Sequence, residues 1–558
     1  EPAAQEPAAQ EPAAQEPAAQ EPAAQEPATT PMATQPTAST PSLAGSVCPD
    51  IGLDAARVHY VCDCQAGADA NCEAGDDSAE GTIDAPFRTY ARAQQAFRTL
   101  GAGETIAFCR GGSFAVEGDR RWVNASCRAN EPCVVRDYAA PGAPADAAKP
   151  ILTTSEGNAF SFEDGAAADH EEGYVFMNLD VRSRSGGSSG DAFFFYNDID
   201  DVLICGTSID GFRIGVHAAG SNAPAAGSDG KNARIVVRNA TITNNGDQGY
   251  LGGCDGCGVE HSVFENNGFN LEVLNHNIYF GPRGVKTMFA RHNRLYKSAI
   301  VNGKCEGASL VVHGSVEDLE IIGNDIREDV GAAAEGCWGI AVDTGYAGTP
   351  EAFTNVVIRG NSVANVGNMG IGVNACKECV IENNVVVQEQ PMETTLISVP
   401  DRSRLEEDQA MSAVKIRNNT LFARSTRNVV GIALGGEGVE HVAVSNALLS
   451  EGTGGFTCFS YDLEDRAYGA RDNNLCHTPA SADWATANLS LGAWNANTSA
   501  DAASSVADPL FVSTRAPYDW TPSPGSPLLD AGHAESATSD FSGQARAGRA
   551  DIGAFERR

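Results

Sequence analysis

The feature that most constrains this chain is a pair of nested periods. A short apolar triplet recurs as Ile214-Gly215-Val216, Ile278-Tyr279-Phe280, Val311-Val312-His313, Ile340-Ala341-Val342, Ile371-Gly372-Val373, Ile397-Ser398-Val399 and Ile432-Ala433-Leu434. From Ile278 the successive spacings are 33, 29, 31, 26 and 35 residues. Out of phase with it runs β-branched alternation leading into asparagine: IVVRNATI from Ile235, LEIIGNDI from Leu319, VVIRGNSV from Val356, VIENNVVV from Val380 and VKIRNNTL from Val414. A period of two marks strands with one side chain in and the next out. A period near thirty marks a repeated unit that cannot bury its apolar row alone. Leucine-rich repeats are shorter, and propeller blades are longer and more even.

Both periods fit an all-β, right-handed parallel β-helix (solenoid) with at least two strands per coil. Ile278, Val311 and Ile340 are then expected as vertical neighbours in one hydrophobic bore. Asn239, Asn324, Asn361, Asn383 and Asn418 are expected to stack as a ladder at a turn. About eleven coils at about 4.8 Å each give a rod of roughly 50 Å.

The ends differ from the coils. Residues 1–25 are five copies of EPAAQ, followed by Pro, Thr, Ser and Ala to about Leu43. Proline at every fifth position removes helical donors, and almost nothing apolar is present to bury, so a disordered, extended stalk is expected. From Gly81 the sequence GTIDAPFRTYARAQQAFRTLGAGETIAFCRGGSF places Tyr90, Ala93, Phe97 and Leu100 on one side of an N-terminal capping helix, followed by a strand over Thr105 to Phe108. The chain closes with DPLFV from Asp508, YDWTPSPGSPLLDAG from Tyr518 and DIGAFE from Asp551. The reading divides the chain into a stalk over 1–47, a Cys-rich acidic segment over 48–80, the solenoid over 81–500 and a closing segment over 501–558.

The two ends and the coils between them, about Tyr60 to Glu556, resemble bacterial secreted right-handed parallel β-helix repeat proteins, and the final motif resembles the choice-of-anchor Q signature. The resemblance implies the fold and a secreted or cell-surface location. It carries no catalytic residue over to this chain.

Composition narrows the partners. With 38 Lys+Arg against 73 Asp+Glu the net charge is −35, which argues against nucleic acid as a partner because phosphate recognition needs cationic surface. No apolar run is long enough to cross a membrane as a helix. The chain opens at Glu1 without a leader-like stretch, so any export signal is expected to have been removed. Sixteen cysteines, an even number spread along the chain, fit disulfides in an oxidising compartment. The pairs Cys254/Cys257 and Cys376/Cys379 invite a zinc site. The coil geometry sets them about four coils, near 19 Å, apart, so disulfides are expected instead. In the segment from Cys62 to Asp77 a disulfide-knotted cap competes with a calcium site using Asp63, Asp69, Asp76 and Asp77.

Motifs such as HExxH and the P-loop are absent. The run Asp198-Ile199-Asp200-Asp201 offers paired carboxylates for glycoside hydrolysis, or a solvated turn. One island contradicts the acidic background: Arg283, Lys286, Arg291, Arg294, Lys297 and Lys304 occur with no Asp or Glu between them. Such a patch could hold an anionic polysaccharide and suit β-elimination at a uronate, which needs cations on the carboxylate and a base at C5. Lys297 or Lys304 would be the base, Arg283 or Arg291 the carboxylate clamp, and His276, Tyr279 or His313 the proton donor. Tyr279, Lys286 and Arg294 would bind sugar, with Tyr279 filling an outward slot that is small in other coils. The competing account pairs these cations with acids on adjacent coils. The function expected is binding or processing of extracellular polysaccharide, as a lyase or glycoside hydrolase. The alternative is a non-catalytic adhesin or matrix protein.

Overall fold

A computed structural model describes residues 47–558 apart from 145, 164–170, 222–228, 347, 400–404, 436–437, 462–467, 479–482, 486–488 and 499. The stalk expectation over 1–46 lies outside the described residues. The rest is a parallel β-solenoid. Three long sheets of 16, 14 and 12 strands run its length, and every neighbouring pair within them is parallel. Each coil therefore carries three strands. The asparagine-bearing pattern is itself two strands: Val356–Arg359 belongs to the first sheet and Ser362–Ala364 to the second, with Gly360 turning between them at φ +62.

The bore forms as the periodicity requires, with one change of phase. Its third-sheet row runs Phe193, Val216, Tyr250, Ile278, Leu310, Ile340, Ile371, Ile397, Ile432 and Phe459 in register. Leu310, not Val311, is the neighbour of Ile278 and Ile340, and Val216, not Ile214, shares their row. Three apolar residues in succession, Leu310 to Val312, leave alternation unable to choose which faces inward. Val311 instead points outward under Tyr279 and Trp338 with Ala341 and Met369.

The turn between the first and second sheets is held by an asparagine ladder. Along Asn293, Asn324, Asn361, Asn384, Asn419, Asn446 and Asn474, the backbone and side-chain amides of each asparagine donate to the side-chain Oδ1 of the next, at 2.9–3.1 Å. Asn324 and Asn361 are members as expected. Asn239, Asn383 and Asn418 are not: they stand one residue earlier with φ of 51 to 54, the left-handed position that Gly323 and Gly360 fill in other coils. Asparagine tolerates that conformation, so the same residue type serves two adjacent roles.

The first rung begins inside the Cys-rich segment, where Val58–Val61 pairs with Thr105–Cys109. Helix α1, Tyr90–Phe97, is capped by Thr89, whose side chain accepts from Arg92 N. It packs Tyr90 and Phe97 on Trp122 and closes the end of the bore, with Tyr90, Ala93, Phe97 and Leu100 buried. The closing segment folds back over the second sheet, where Trp520, Phe541 and Ala554 cover Val385, Phe422 and Leu449. All sixteen cysteines are paired. Cys254–Cys257 and Cys376–Cys379 are local bridges, Cys305–Cys337 joins adjacent coils, and Cys48–Cys205 fastens the chain after the stalk sequence to the first sheet. Eight disulfides fit an extracellular setting. Among the described residues no helix is long and apolar enough to cross a membrane.

Candidate functional site

The cationic island does not form one face. Its residues are split between the first-sheet strand Arg283–Arg291, the second-sheet strand Arg294–Tyr296 with Lys297 just after it, and the hairpin Ile300–Val301/Lys304–Cys305. Arg291 Nε donates to Glu320 at 2.6 Å, Arg294 lies 3.9 Å from Asp325, and Lys297 lies 3.9 Å from Glu265. Each partner is on a neighbouring coil, which is the pairing account of the island. Lys304 is exposed on the hairpin beside Glu306. The grouping of Lys297, Lys304, Arg291 and Arg294 into one patch is thus corrected. Contiguity in sequence spans two sheets here, and each turn redirects the outward normal.

Arg283 and Lys286 do converge with Tyr279. They line a cleft of about 860 Å³ where the outer face of the third sheet meets the start of the first, together with His217, Leu251 and Tyr346. In-register pairing puts His217, Leu251 and Tyr279 in one outward row. His217 and Tyr279 are two rungs apart, roughly 10 Å between backbones. The row is less uniform than the sequence indicates: Phe194, His217 and Leu251 occupy it on one side of Tyr279, and Val311, Ala341 and Gly372 on the other.

His217 is held from behind. Its Nδ1 lies 2.8 Å from Asp191 Oδ2, and Arg213 Nη2 donates to Asp191 Oδ1 at 2.8 Å. Asp191 is 2% exposed, and Arg213 also reaches Asp247 at 3.2 Å. A buried carboxylate on Nδ1 fixes the orientation of the ring beside the cleft.

Tyr279 Oη donates to Tyr346 Oη at 3.1 Å. Burial, then this hydrogen bond, keeps the Tyr279 phenol protonated well above its usual range. The two remaining proton-donor candidates sit behind it. His276 is buried, its Nδ1 3.2 Å from the Ala308 carbonyl, and burial followed by the nearby His313 pushes its pKa down to about 3. His313 faces the Asp343 carbonyl at 2.6 Å and packs between the rings of Tyr279 and Tyr346.

The far end of the cleft is acidic. Asp198, Asp200 and Asp229 line it with Lys231. Asp200 pairs with Arg234 at 3.0 Å through Oδ2, while its Oδ1 is buried without a hydrogen-bond partner. Burial pushes its pKa up to about 6.

Three of the four acids weighed as calcium ligands, all but Asp69, are engaged by protein donors. Asp63 accepts from Cys64 N, Gln65 Nε2 and Arg88 Nε at 2.8–3.2 Å, and Asp77 accepts from Arg88 N, Thr89 N and Thr89 Oγ1 at 2.8–2.9 Å. Asp76 accepts from Ser78. Among the described residues, two clusters bring three residues of metal-ligating type together, Cys62/Cys72/Cys109 and Cys305/Glu328/Cys337. Their cysteines are in disulfides and offer no thiolate.

His217, Asp191, Arg213 and Tyr346 were not legible as site residues. His217 carries a signal, since it follows the inward Val216 of a repeated triplet and so must point out. Tyr346 lies between a third-sheet and a first-sheet strand, outside either repeat, and carries none.

No protein-family model and no curated protein matches this chain. Solved structures do. A pectate lyase shows 15% identity over 91% of this chain and 98% of its own, with a TM-score of 0.38. The XylC–xylose complex shows 8% identity over 89% and 98%, with a TM-score of 0.40. The A-module of a mannuronan C-5 epimerase from Azotobacter vinelandii shows 12% identity over 66% and 90%, with a TM-score of 0.36. Each is a likeness of fold.

Proposed function

We propose that this is an exported polysaccharide lyase that binds an acidic glycan in the cleft and cleaves it by β-elimination at a uronate. The observation that carries this reading is the convergence of three elements in one cleft: the Asp191-held His217, the protonated Tyr279 and the cations Arg283 and Lys286. A sugar ring seated on Leu251 has His217 on one side and Tyr279 on the other. Arg283 and Lys286 take the uronate carboxylate, which acidifies C5–H by stabilising the charge that develops as the proton leaves. His217 Nε2 removes that proton. The C4–O4 bond breaks as the C4–C5 double bond forms, and Tyr279 Oη protonates O4 of the leaving chain.

A second reading has its own observation. Asp200, with its raised pKa and unpartnered Oδ1, and Asp198 beside it could serve as acid and base for hydrolysis of a neutral or acidic glycan. Incubating the protein with a panel of acidic and neutral polysaccharides separates the possibilities. Elimination gives an ultraviolet-absorbing unsaturated uronate and is lost in His217→Ala. Hydrolysis gives new reducing ends without absorbance and is lost in Asp200→Asn. Retention of glycan with neither product would mean an adhesin and refute the enzymatic reading.

A further inference from the structure

As the acid of the proposed elimination, Tyr279 must be reloaded with a proton after every cycle. The structure supplies a second phenol for this. Tyr346 arrives 67 residues later in the chain, with its Oη 3.1 Å from that of Tyr279, and both residues line the cleft. Tyr346 is only partly buried.

The segment that carries it is anchored with unusual care. Glu351, fully buried, accepts from Gly314 N at 2.5 Å, Gly345 N at 2.5 Å and Tyr346 N at 2.8 Å, and its own backbone N–H donates to Asp408 Oδ1 at 2.9 Å. Gly345 lies against the His313 ring so closely that a Cβ there would fall 2.4 Å from Cε1, so this position requires glycine. His313 holds the same segment through the Asp343 carbonyl. A buried carboxylate satisfying two successive backbone amides immediately before and at Tyr346 fixes where its ring enters the cleft.

We infer that Tyr346 is a positioning and proton-relay residue that returns a proton to Tyr279 in each catalytic cycle. This rests on the lyase reading of the cleft. When Tyr279 gives its proton to O4 of the departing chain it is left as a phenolate beside Arg283, whose charge stabilises it. Tyr346 Oη, already in hydrogen-bond contact, passes its proton to that oxygen and recovers one from cleft water. The proton taken from C5 leaves through His217 to water, so each turnover releases one proton and consumes one. No oxidant or further reactant is needed.

The test is Tyr346→Phe in the full chain, which keeps the ring and its packing on His313 and removes only the hydroxyl. Wild type and variant are compared on the most active uronate polymer from the panel, with matching thermal melts as the check on folding. The relay predicts a kcat lower by about tenfold or more, KM within about twofold, a larger solvent deuterium isotope effect, and partial recovery on adding a small buffer acid. Recovery by buffer is a response that a purely structural role would not give. An active wild type with Tyr346→Phe at the same kcat overturns the relay alone. So does a raised KM at unchanged kcat, which would make Tyr346 a sugar-binding surface. A wild type that yields no unsaturated product overturns the lyase reading, and the relay with it.

Discussion

Asn361→Ala should be among the most damaging single substitutions in the solenoid, although the residue lies far from the cleft. Asn361 is fully buried. Its Oδ1 accepts from both the backbone and side-chain amides of Asn324 at 2.9 Å, and its Nδ2 donates to the Ile321 carbonyl at 2.8 Å and to Asn384 Oδ1 at 2.9 Å. Alanine leaves two N–H donors on Asn324 without their acceptor and takes a side-chain donor from the Ile321 carbonyl, all in a buried turn. The Asn361 backbone N–H still reaches Asn384 Oδ1, so that oxygen stays satisfied. At about 1–3 kcal/mol for each orphaned buried group, and allowing for partial relaxation, the cost is about 3–6 kcal/mol. Urea unfolding should register it, and amide hydrogen exchange should show it concentrated in the coils on either side of Asn361, because a solenoid passes stress mainly to its neighbours. Ser188→Ala removes an exposed bond to the Ser185 carbonyl at 2.8 Å and should cost less than about 1 kcal/mol. If both substitutions cost the same small amount, the ladder is not what holds this turn, and the reasoning fails.

Glu328 is 3% exposed, with Oε2 unpartnered and Oε1 receiving Ser298 N at 2.9 Å, and burial pushes its pKa up from 4.5 to about 8. Because the folded-state value is the higher, its contribution to stability is full below about pH 4.5 and is lost as pH rises to about 8, on the order of 3–5 kcal/mol in all. Melts of Glu328→Gln across this window should lack that slope and show the greater gain over wild type at the alkaline end. The double change Lys297→Ala with Lys304→Ala should leave turnover within about twofold in the absorbance assay, since neither residue lines the cleft. With base and acid on opposite sides of one ring, elimination should be anti. Polymers of galacturonate or guluronate, in which C5–H and C4–O are antiparallel, should then be cleaved in preference to mannuronate or glucuronate polymers, and product formation on each polymer would check it.

The repeat was legible because stacking imposes identical demands on residues about thirty apart. Ile278, Ile340, Ile371, Ile397 and Ile432 had to be apolar for one shared reason, and they share a row. Phase was legible only where polar residues alternate with apolar ones. Leu310 to Val312 offered no such mark, and neither did the paired asparagines Asn383-Asn384 and Asn418-Asn419, where one member turns the chain and the next joins the ladder. The site was less legible. Tyr279, Arg283 and Lys286, singled out in the sequence because each is unusual in its local setting, line one cleft. Tyr346, which bonds Tyr279, and Asp191 and Arg213, which hold His217, are brought near only by the winding of the coils. A run of cations along one stretch of sequence was a poor guide to a surface, because successive strands of a coil face three directions.

The most direct test of the account is a crystal structure of His217→Gln with a uronate trisaccharide bound. The account predicts one ring over Leu251, its carboxylate against Arg283 and Lys286, and its glycosidic oxygen within hydrogen-bond reach of Tyr279 Oη. A trisaccharide held instead among Asp198, Asp200 and Lys231, or along another face of the rod, would contradict it.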